Sequence, residues 1–272
     1  MPLKVDYPAI QFNLWRSLTA LYVLVYTVLL WPYAGLLYSN SGISKDYTHS
    51  ISLLSFSSSE IVVYVFLSIL IASSLLLFIG KFSKTATFIT LFVLNSLYNK
   101  NPLSESPELF LIGWLLFATL FITPPDFSLS KKRTEIWQIP KSVLYSAWIV
   151  LGVAYCYSGY TKLLTPSWLT GEAMYKVLNG QLAFSFTQAM CEKLPFSLYK
   201  YSGFIVVWAE LIAPLLFIKE VTRKWSSYFY IFLHINILIF IDLTQVSLGM
   251  LLFHLFIFNY KWLPEKLRHS LF

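Results

Sequence analysis

Long apolar blocks follow one another along this chain, and they limit its fold more than any other feature of the sequence. A helix that crosses a bilayer needs about 20 mostly apolar residues. We predict eight such helices, with seven to nine as the open range because the third and eighth blocks are short. The blocks are residues 14–37, 60–80, 85–99, 107–124, 142–163, 201–219, 225–242 and 245–260.

Charged side chains are too few to cover a soluble protein. They make up 12% of the 272 residues, whereas a soluble domain carries about 25%. We therefore predict an all-α integral membrane protein with one transmembrane domain over residues 1–272 and no separate soluble domain. Membrane lipids are its expected partners. Nucleic acid is not, because the basic residues lie between the apolar blocks rather than on one face.

Basic residues are concentrated in every second loop. The richest loop contains Lys131, Lys132, Arg133 and Lys141. Cytoplasmic loops of membrane proteins carry the excess of lysine and arginine, so the pattern predicts a multi-pass protein with both termini in the cytoplasm. The polar segment 164–200 then lies on the outer side. Within it we predict a short interfacial helix that includes Ala173, with Trp168 at the depth of the lipid headgroups.

Ionisable side chains inside a membrane span are costly, so each is a functional candidate by default. The four candidates are Lys162, Glu210, His234 and His254. Structural roles stay open beside functional ones. Lys162 could extend towards the headgroups, and the histidines could bridge helices. Glu210 is expected to face the bundle interior, where its predicted partners are Lys162, His234 or Asn236.

Other polar groups receive plainer interpretations. Arg16 and Asp242 lie near predicted span ends, where solvated side chains are expected. We expect no metal site, because His234 and His254 lack the spacing of a helical metal-binding pair and have no cysteine or carboxylate cluster beside them.

The segment around Lys162 carries a resemblance to a known family. The pattern consists of Gly159, Lys162 and Leu163, then Trp168, Gly171 and Met174, then Glu210 with Ala213, then His234, and finally Ser247, Gly249, Met250 and Phe253. In this pattern the chain resembles the core of the vitamin K-dependent gamma-carboxylases, also called the horizontally transferred transmembrane (HTTM) domain. Weaker similarity reaches back to Arg16 and so covers nearly the whole chain.

The resemblance implies carboxylation driven by a lipid quinone. A reduced vitamin K or menaquinone-type quinone is deprotonated and reacts with oxygen, the resulting base removes a γ-proton from a peptide glutamate, and carbon dioxide adds to the carbanion. The family's base falls on Lys162, with Glu210 and His234 as further catalytic residues. A dry pocket suits this role because desolvation favours the neutral, basic form of a lysine.

Small and aromatic residues near Lys162 are the predicted binding surface. Ser158 and Gly159 share its helix face, where small residues admit a second helix or a ligand, and Tyr155 one turn further back suits a flat quinone ring. We expect Lys162 to line an outward-opening pocket bounded by the fifth, sixth and seventh spans. The predicted residues that bind substrate or cofactor are Gly159, Tyr155, Trp168, Gly171 and His254.

The chain departs from the family at two points. Glu108 stands where the carboxylase has a histidine tied to its quinone chemistry, and the carboxylase's large lumenal part has no counterpart after the last apolar block.

Small bacterial relatives of the domain are linked to maturation of secreted peptide toxins, which implies a bacterial inner membrane. Three functions therefore remain open: an enzyme acting on a quinone or a peptide, a non-enzymatic partner in maturation or export of a secreted peptide, and a transporter.

Overall fold

The computed structural model describes residues 4–43, 52–101, 106–124 and 136–271 and is mostly helical, as predicted. It forms two compact units, residues 1–143 with 263–272 and residues 144–262. The elements in chain order are β1 (Lys4–Pro8), α1 (Ala9–Leu30), α2 (Ala34–Tyr38), α3 (Glu60–Ile79), α4 (Ser83–Lys100), α5 (Pro107–Thr119), β2 (Ile136–Pro140), α6 (Lys141–Leu163), α7 (Pro166–Thr170), α8 (Glu172–Asn179), α9 (Ser185–Cys191), α10 (Phe196–Leu211), α11 (Ala213–Leu216), α12 (Glu220–Phe240), α13 (Thr244–Ile257) and α14 (Glu265–Leu271).

Among the described residues, three helices are long and apolar enough to cross a membrane. They are Ala9–Tyr38, which combines α1 and α2, then Glu60–Ile79 and Lys141–Leu163. Two further helices, α5 and α13, are apolar but shorter. All eight predicted blocks contain helix, and the lengths and composition fit a membrane protein. The basic residues Lys131, Lys132 and Arg133 lie outside the described residues.

In the first unit, local sequence signals mark where α3 begins and ends. The Ser59 side chain accepts a hydrogen bond from the Val62 backbone N–H at 3.4 Å, so it caps the first turn. Gly80 follows the last turn with φ +75°, a left-handed conformation that costs glycine little. The strands β1 and β2, which the sequence did not indicate, pair antiparallel with Lys4 opposite Pro140.

The expectation that Arg16 is solvated was wrong. Its side chain is only 3% exposed, and its guanidinium donates to the carbonyl of Leu77 and, at 3.3 Å, to that of Phe78. Both carbonyls lie in the last turn of α3, where helical carbonyls have no partner within the helix. Arg16 thus links α1 to the C-terminal end of α3, where Gly80 N–H and Ser17 Oγ also donate to these carbonyls.

In the second unit, the predicted sixth block is not one continuous helix. Helix α10 ends at Leu211, and Ile212 separates it from the single turn of α11. Pro214 follows at once, and a proline has no N–H with which to continue the α10 hydrogen-bond ladder. The break leaves Glu210 in the last turn of α10 rather than in mid-helix.

The predicted short helix after Trp168 is confirmed. It is α8, whose eight residues include Ala173 and none of which is buried. The preceding turn, α7, carries Trp168. Between them Gly171 adopts φ +95°, a left-handed conformation that lets the chain turn sharply from one helix into the next.

Candidate functional site

One face of α6 carries the polar residues of the candidate site. Tyr155, Ser158 and Lys162 follow at spacings of three and four residues, so they share that face. The Lys162 ammonium nitrogen donates to Ser158 Oγ at 2.6 Å and to Glu210 Oε2 at 2.5 Å. The Lys162 side chain is 19% exposed and that of Glu210 is 9% exposed. Lys162 is therefore held inside the unit by an ion pair, and of the three partners predicted for Glu210 the structure shows Lys162.

Gly159 explains how Glu210 comes so close. A Cβ atom at Gly159 would lie 2.5 Å from the Leu211 backbone N and 3.0 Å from the Glu210 carbonyl carbon. Only glycine allows α10 to approach α6 at this point. Small residues on this face were predicted to admit either a second helix or a ligand. In the structure a second helix, α10, lies against Gly159. The role of Gly159 here is packing.

Trp168 covers the other side of the lysine. Its indole ring centre lies 5.3 Å from Lys162 Nζ, within the range of a cation–π interaction. Two glycines fix the turn that carries it. A Cβ at Gly171 would lie 2.7 Å from the Lys200 backbone N, and one at Gly203 would lie 2.5 Å from the Trp168 carbonyl oxygen. The sequence prediction included Gly171 but missed Gly203, which has no motif of its own.

A second polar group lies deeper in the same unit. The Tyr155 hydroxyl is 3.0 Å from Nε2 of His234 and 2.8 Å from Nε2 of His254. This hydroxyl joins α6 to α12 and α13 and connects the two histidines, for which a helix-bridging role was one of the open interpretations. All three side chains are buried, with exposures of 3%, 6% and 1%.

The shared hydroxyl fixes the protonation pattern of the neutral histidines. A single O–H can be donated to only one Nε2 atom, so the other ring must donate its Nε2–H to the tyrosine oxygen. One ring therefore carries its proton on Nδ1, and the other has a lone pair there. Neither Nδ1 atom has a hydrogen-bond partner among the described residues, and both are buried. Moving one proton along each of the two hydrogen bonds would leave one ring protonated on both nitrogens and the other on neither, so the two neutral patterns do not interconvert through the hydroxyl alone.

Tyr230 is a site residue that the sequence analysis missed. Its ring stacks on Tyr155 with centres 4.1 Å apart, and its hydroxyl donates to the Ala209 carbonyl oxygen at 2.7 Å. The available signal was its position one helical turn before His234. The hydrogen bond to Ala209 brings Tyr230, which stacks on Tyr155, to the backbone beside Glu210. The ion pair and the His–Tyr–His group thus lie next to each other and form one polar cluster.

The surface predicted to hold a flat quinone ring is occupied by protein. Tyr230 covers a face of Tyr155, and the backbone of α10 fills the space beside Gly159. A quinone ring does not fit on this face of α6. Of the residues predicted to form the site, Lys162, which is 19% exposed, and Trp168 are the ones that remain partly exposed to the surroundings.

The structure also bears on the predictions made for Asn236, for Glu108 and for a metal site. Asn236 does not pair with Glu210, because its amide donates to the Phe232 carbonyl of its own helix at 2.7 Å. Glu108 belongs to the other unit, where it is buried and hydrogen-bonded to the Tyr22 side chain. Within the described ranges, the structure brings together no group of three or more metal-ligating side chains.

Comparisons with known proteins found no match to the chain among family models, curated proteins or solved structures.

Proposed function

We propose that this protein is a membrane-embedded enzyme that removes a proton from its substrate, with Lys162 as the base and Glu210 as its partner. The observation that carries the proposal is the enclosed Lys162–Glu210 pair, whose atoms lie 2.5 Å apart. Charged groups in apolar segments are rare and mark functional sites by default. A lysine that only anchored the helix end would reach outwards to the headgroups, whereas Lys162 reaches inwards to α10.

The pair accounts for how a lysine could act as a base. Only the neutral amine can accept a proton, so Lys162 must first pass one proton to the Glu210 carboxylate, leaving an amine beside a carboxylic acid. The amine then takes the substrate proton and becomes an ammonium. The extra proton on Glu210 must leave before the next cycle, and the 19% exposed side chain of Lys162 gives the pair access to its surroundings.

The substrate and cofactor are proposed from the resemblance to the gamma-carboxylase core. It suggests a peptide glutamate and a reduced vitamin K or menaquinone-type quinone, with His234 as a further catalytic residue. The quinone would have to bind elsewhere than beside Tyr155 and Gly159, because protein fills that space. The same resemblance, with the apolar blocks and the alternating basic loops, underlies the proposal of an HTTM-type bundle of eight membrane spans with cytoplasmic termini in a bacterial inner membrane.

The decisive experiment compares two lysine substitutions in the purified protein. Lys162→Arg keeps the charge but cannot supply a neutral amine, because guanidinium stays protonated. Lys176→Arg makes the same change on the exposed surface of α8. We expect Lys162→Arg to abolish incorporation of labelled bicarbonate into a glutamate-containing peptide in the presence of a reduced menaquinone, and Lys176→Arg to leave it unchanged.

Two results would refute parts of this assignment. Full activity of Lys162→Arg would exclude Lys162 as the base. If the wild-type protein incorporates no label and no quinone co-purifies with it by mass spectrometry, the carboxylase assignment fails. Maturation of a secreted peptide that survives Lys162→Arg would then favour a non-enzymatic partner, and substrate uptake into proteoliposomes would favour a transporter.

The proposed topology has its own test. Cysteines placed at Asn179 and at Lys132 are treated with an impermeant thiol reagent in intact cells. Labelling at position 179 alone is expected, since the segment 164–200 is proposed to lie outside. Labelling at position 132 alone would invert the topology.

A further inference from the structure

The first unit contains a cavity of about 640 Å³ that the proposed chemistry does not use. This volume is typical of a site for a small ligand. Its walls are α4 from Phe88 to Asn99 and α5 from Leu109 to Phe117, with Leu120 just after α5 and with Tyr26 and Tyr38 beside them. At roughly 1.5 Å per residue the wall formed by α4 is about 16 Å long, so the cavity is an elongated groove.

The groove has a polar end and an apolar end. Asn95 and Asn99 lie one helical turn apart on the wall formed by α4. Tyr38, which is hydrogen-bonded to Tyr26, belongs to the same end, because Asn101 at the end of α4 donates to the Leu37 carbonyl at 3.0 Å. The opposite end, from Phe88 and Phe117 to Leu120, is apolar throughout.

The lining also excludes charge. None of the described residues that line the groove is acidic or basic, so a charged head would enter without a counter-ion, which is unfavourable in a low-dielectric site. Phenylalanines at its edge are about half exposed, for example Phe92 at 45% and Phe117 at 50%. A chain could therefore enter sideways from surrounding lipid.

We propose that this groove binds a single-chain neutral lipid, with an uncharged hydroxyl or carbonyl head at Asn95 and its apolar chain along α4 and α5. The Asn95 amide donates to the head oxygen and the aromatic side chains cover the tail. This site is independent of the Lys162 chemistry, and either proposal can fail without the other.

Gly113 allows the groove to be blocked selectively. A Cβ at this position would meet only one atom within 4 Å, Leu91 Cδ1 at 3.9 Å, so the side chain of a Gly113→Trp variant extends into the empty groove. Leu75→Trp is the matched control, because Leu75 is 46% exposed on α3 and does not line the groove. Asn95→Leu removes the head contact at an exposed position and so preserves the fold.

The test measures binding of two defined probes by native mass spectrometry of the full chain in one detergent. The probes are monoolein and oleoyl lysophosphatidylglycerol, which share a chain and differ in head charge. We expect monoolein to bind about tenfold more tightly, since a charged head loses at least one factor of ten in an uncharged site. Gly113→Trp should abolish this binding, Asn95→Leu should weaken it about three- to tenfold, and Leu75→Trp should not change it.

Three results would overturn the proposal. These are equal binding of both probes, tighter binding of the charged probe, and monoolein binding to Gly113→Trp at the wild-type level. If Gly113→Trp fails to fold, Asn95→Leu decides, because unchanged monoolein binding in that variant excludes the proposed head site.

Discussion

Gly159→Ala tests whether the close approach of α10 to α6 creates the candidate site. The added Cβ would lie 2.5 Å from the Leu211 backbone N, where ordinary contact begins at 3.4 Å. The two backbones must therefore separate by about 0.9 Å, the difference between those two distances. Because the obstructing atoms are backbone, no side-chain rotation can relieve the clash. Overpacking of this kind costs about 1–3 kcal/mol.

Alanine also has a helix propensity about 1 kcal/mol better than glycine, which would hide part of this cost. Gly113→Ala is the control that removes this effect, because Gly113 is also helical but its Cβ would meet its nearest atom at 3.9 Å. The difference in unfolding free energy between the two variants should be about 1–3 kcal/mol, with Gly159→Ala the less stable.

Thermal unfolding of both variants in one mild detergent measures this difference. For a chain of this size a change of 1 kcal/mol shifts Tm by about 2–4 °C, so Gly159→Ala should melt measurably below Gly113→Ala. The same displacement should lengthen the 2.5 Å contact between Lys162 and Glu210 and lower any activity that depends on it. Equal Tm values for the two variants would show that α10 is not held against Gly159.

Three further substitutions test other parts of the site. Tyr155→Phe should destabilise the protein by about 1–3 kcal/mol for each histidine Nε2 left unpaired, while Tyr157→Phe, at a residue 69% exposed, should leave Tm unchanged. Glu210→Gln should destabilise by leaving the Lys162 charge without its carboxylate, and Lys162→Met should partly restore stability in that background. A double-mutant cycle with no coupling would contradict the ion pair. Gly171→Ala should lower the free energy of unfolding by about 1–2 kcal/mol because of the φ of +95° alone, and further because the new Cβ meets the Lys200 backbone. A Tm equal to that of the wild type would contradict this backbone conformation.

The sequence alone predicted the principal apolar helices. Each predicted apolar block contains helix because a helix pairs its own backbone N–H and C=O groups, whereas other conformations would leave them unsatisfied in apolar surroundings. Pro214 was visible in the sequence, yet the block around it was predicted as one span, since apolar content does not report where a hydrogen-bond ladder is interrupted. Arg16 was misjudged for a related reason: proximity to a helix end says nothing about which neighbouring carbonyls need a donor.

The sequence also identified the residues that carry the candidate site, because a charge in an apolar segment is conspicuous. It reduced the partners of Glu210 to three, and only the tertiary structure selected Lys162. It did not indicate that one tyrosine hydroxyl lies between two histidines 79 and 99 positions further along the chain. Which face of a helix a residue occupies follows from local spacing. Where two helices cross depends on close packing at positions such as Gly159 and Gly203, and that is decided only when the chain folds.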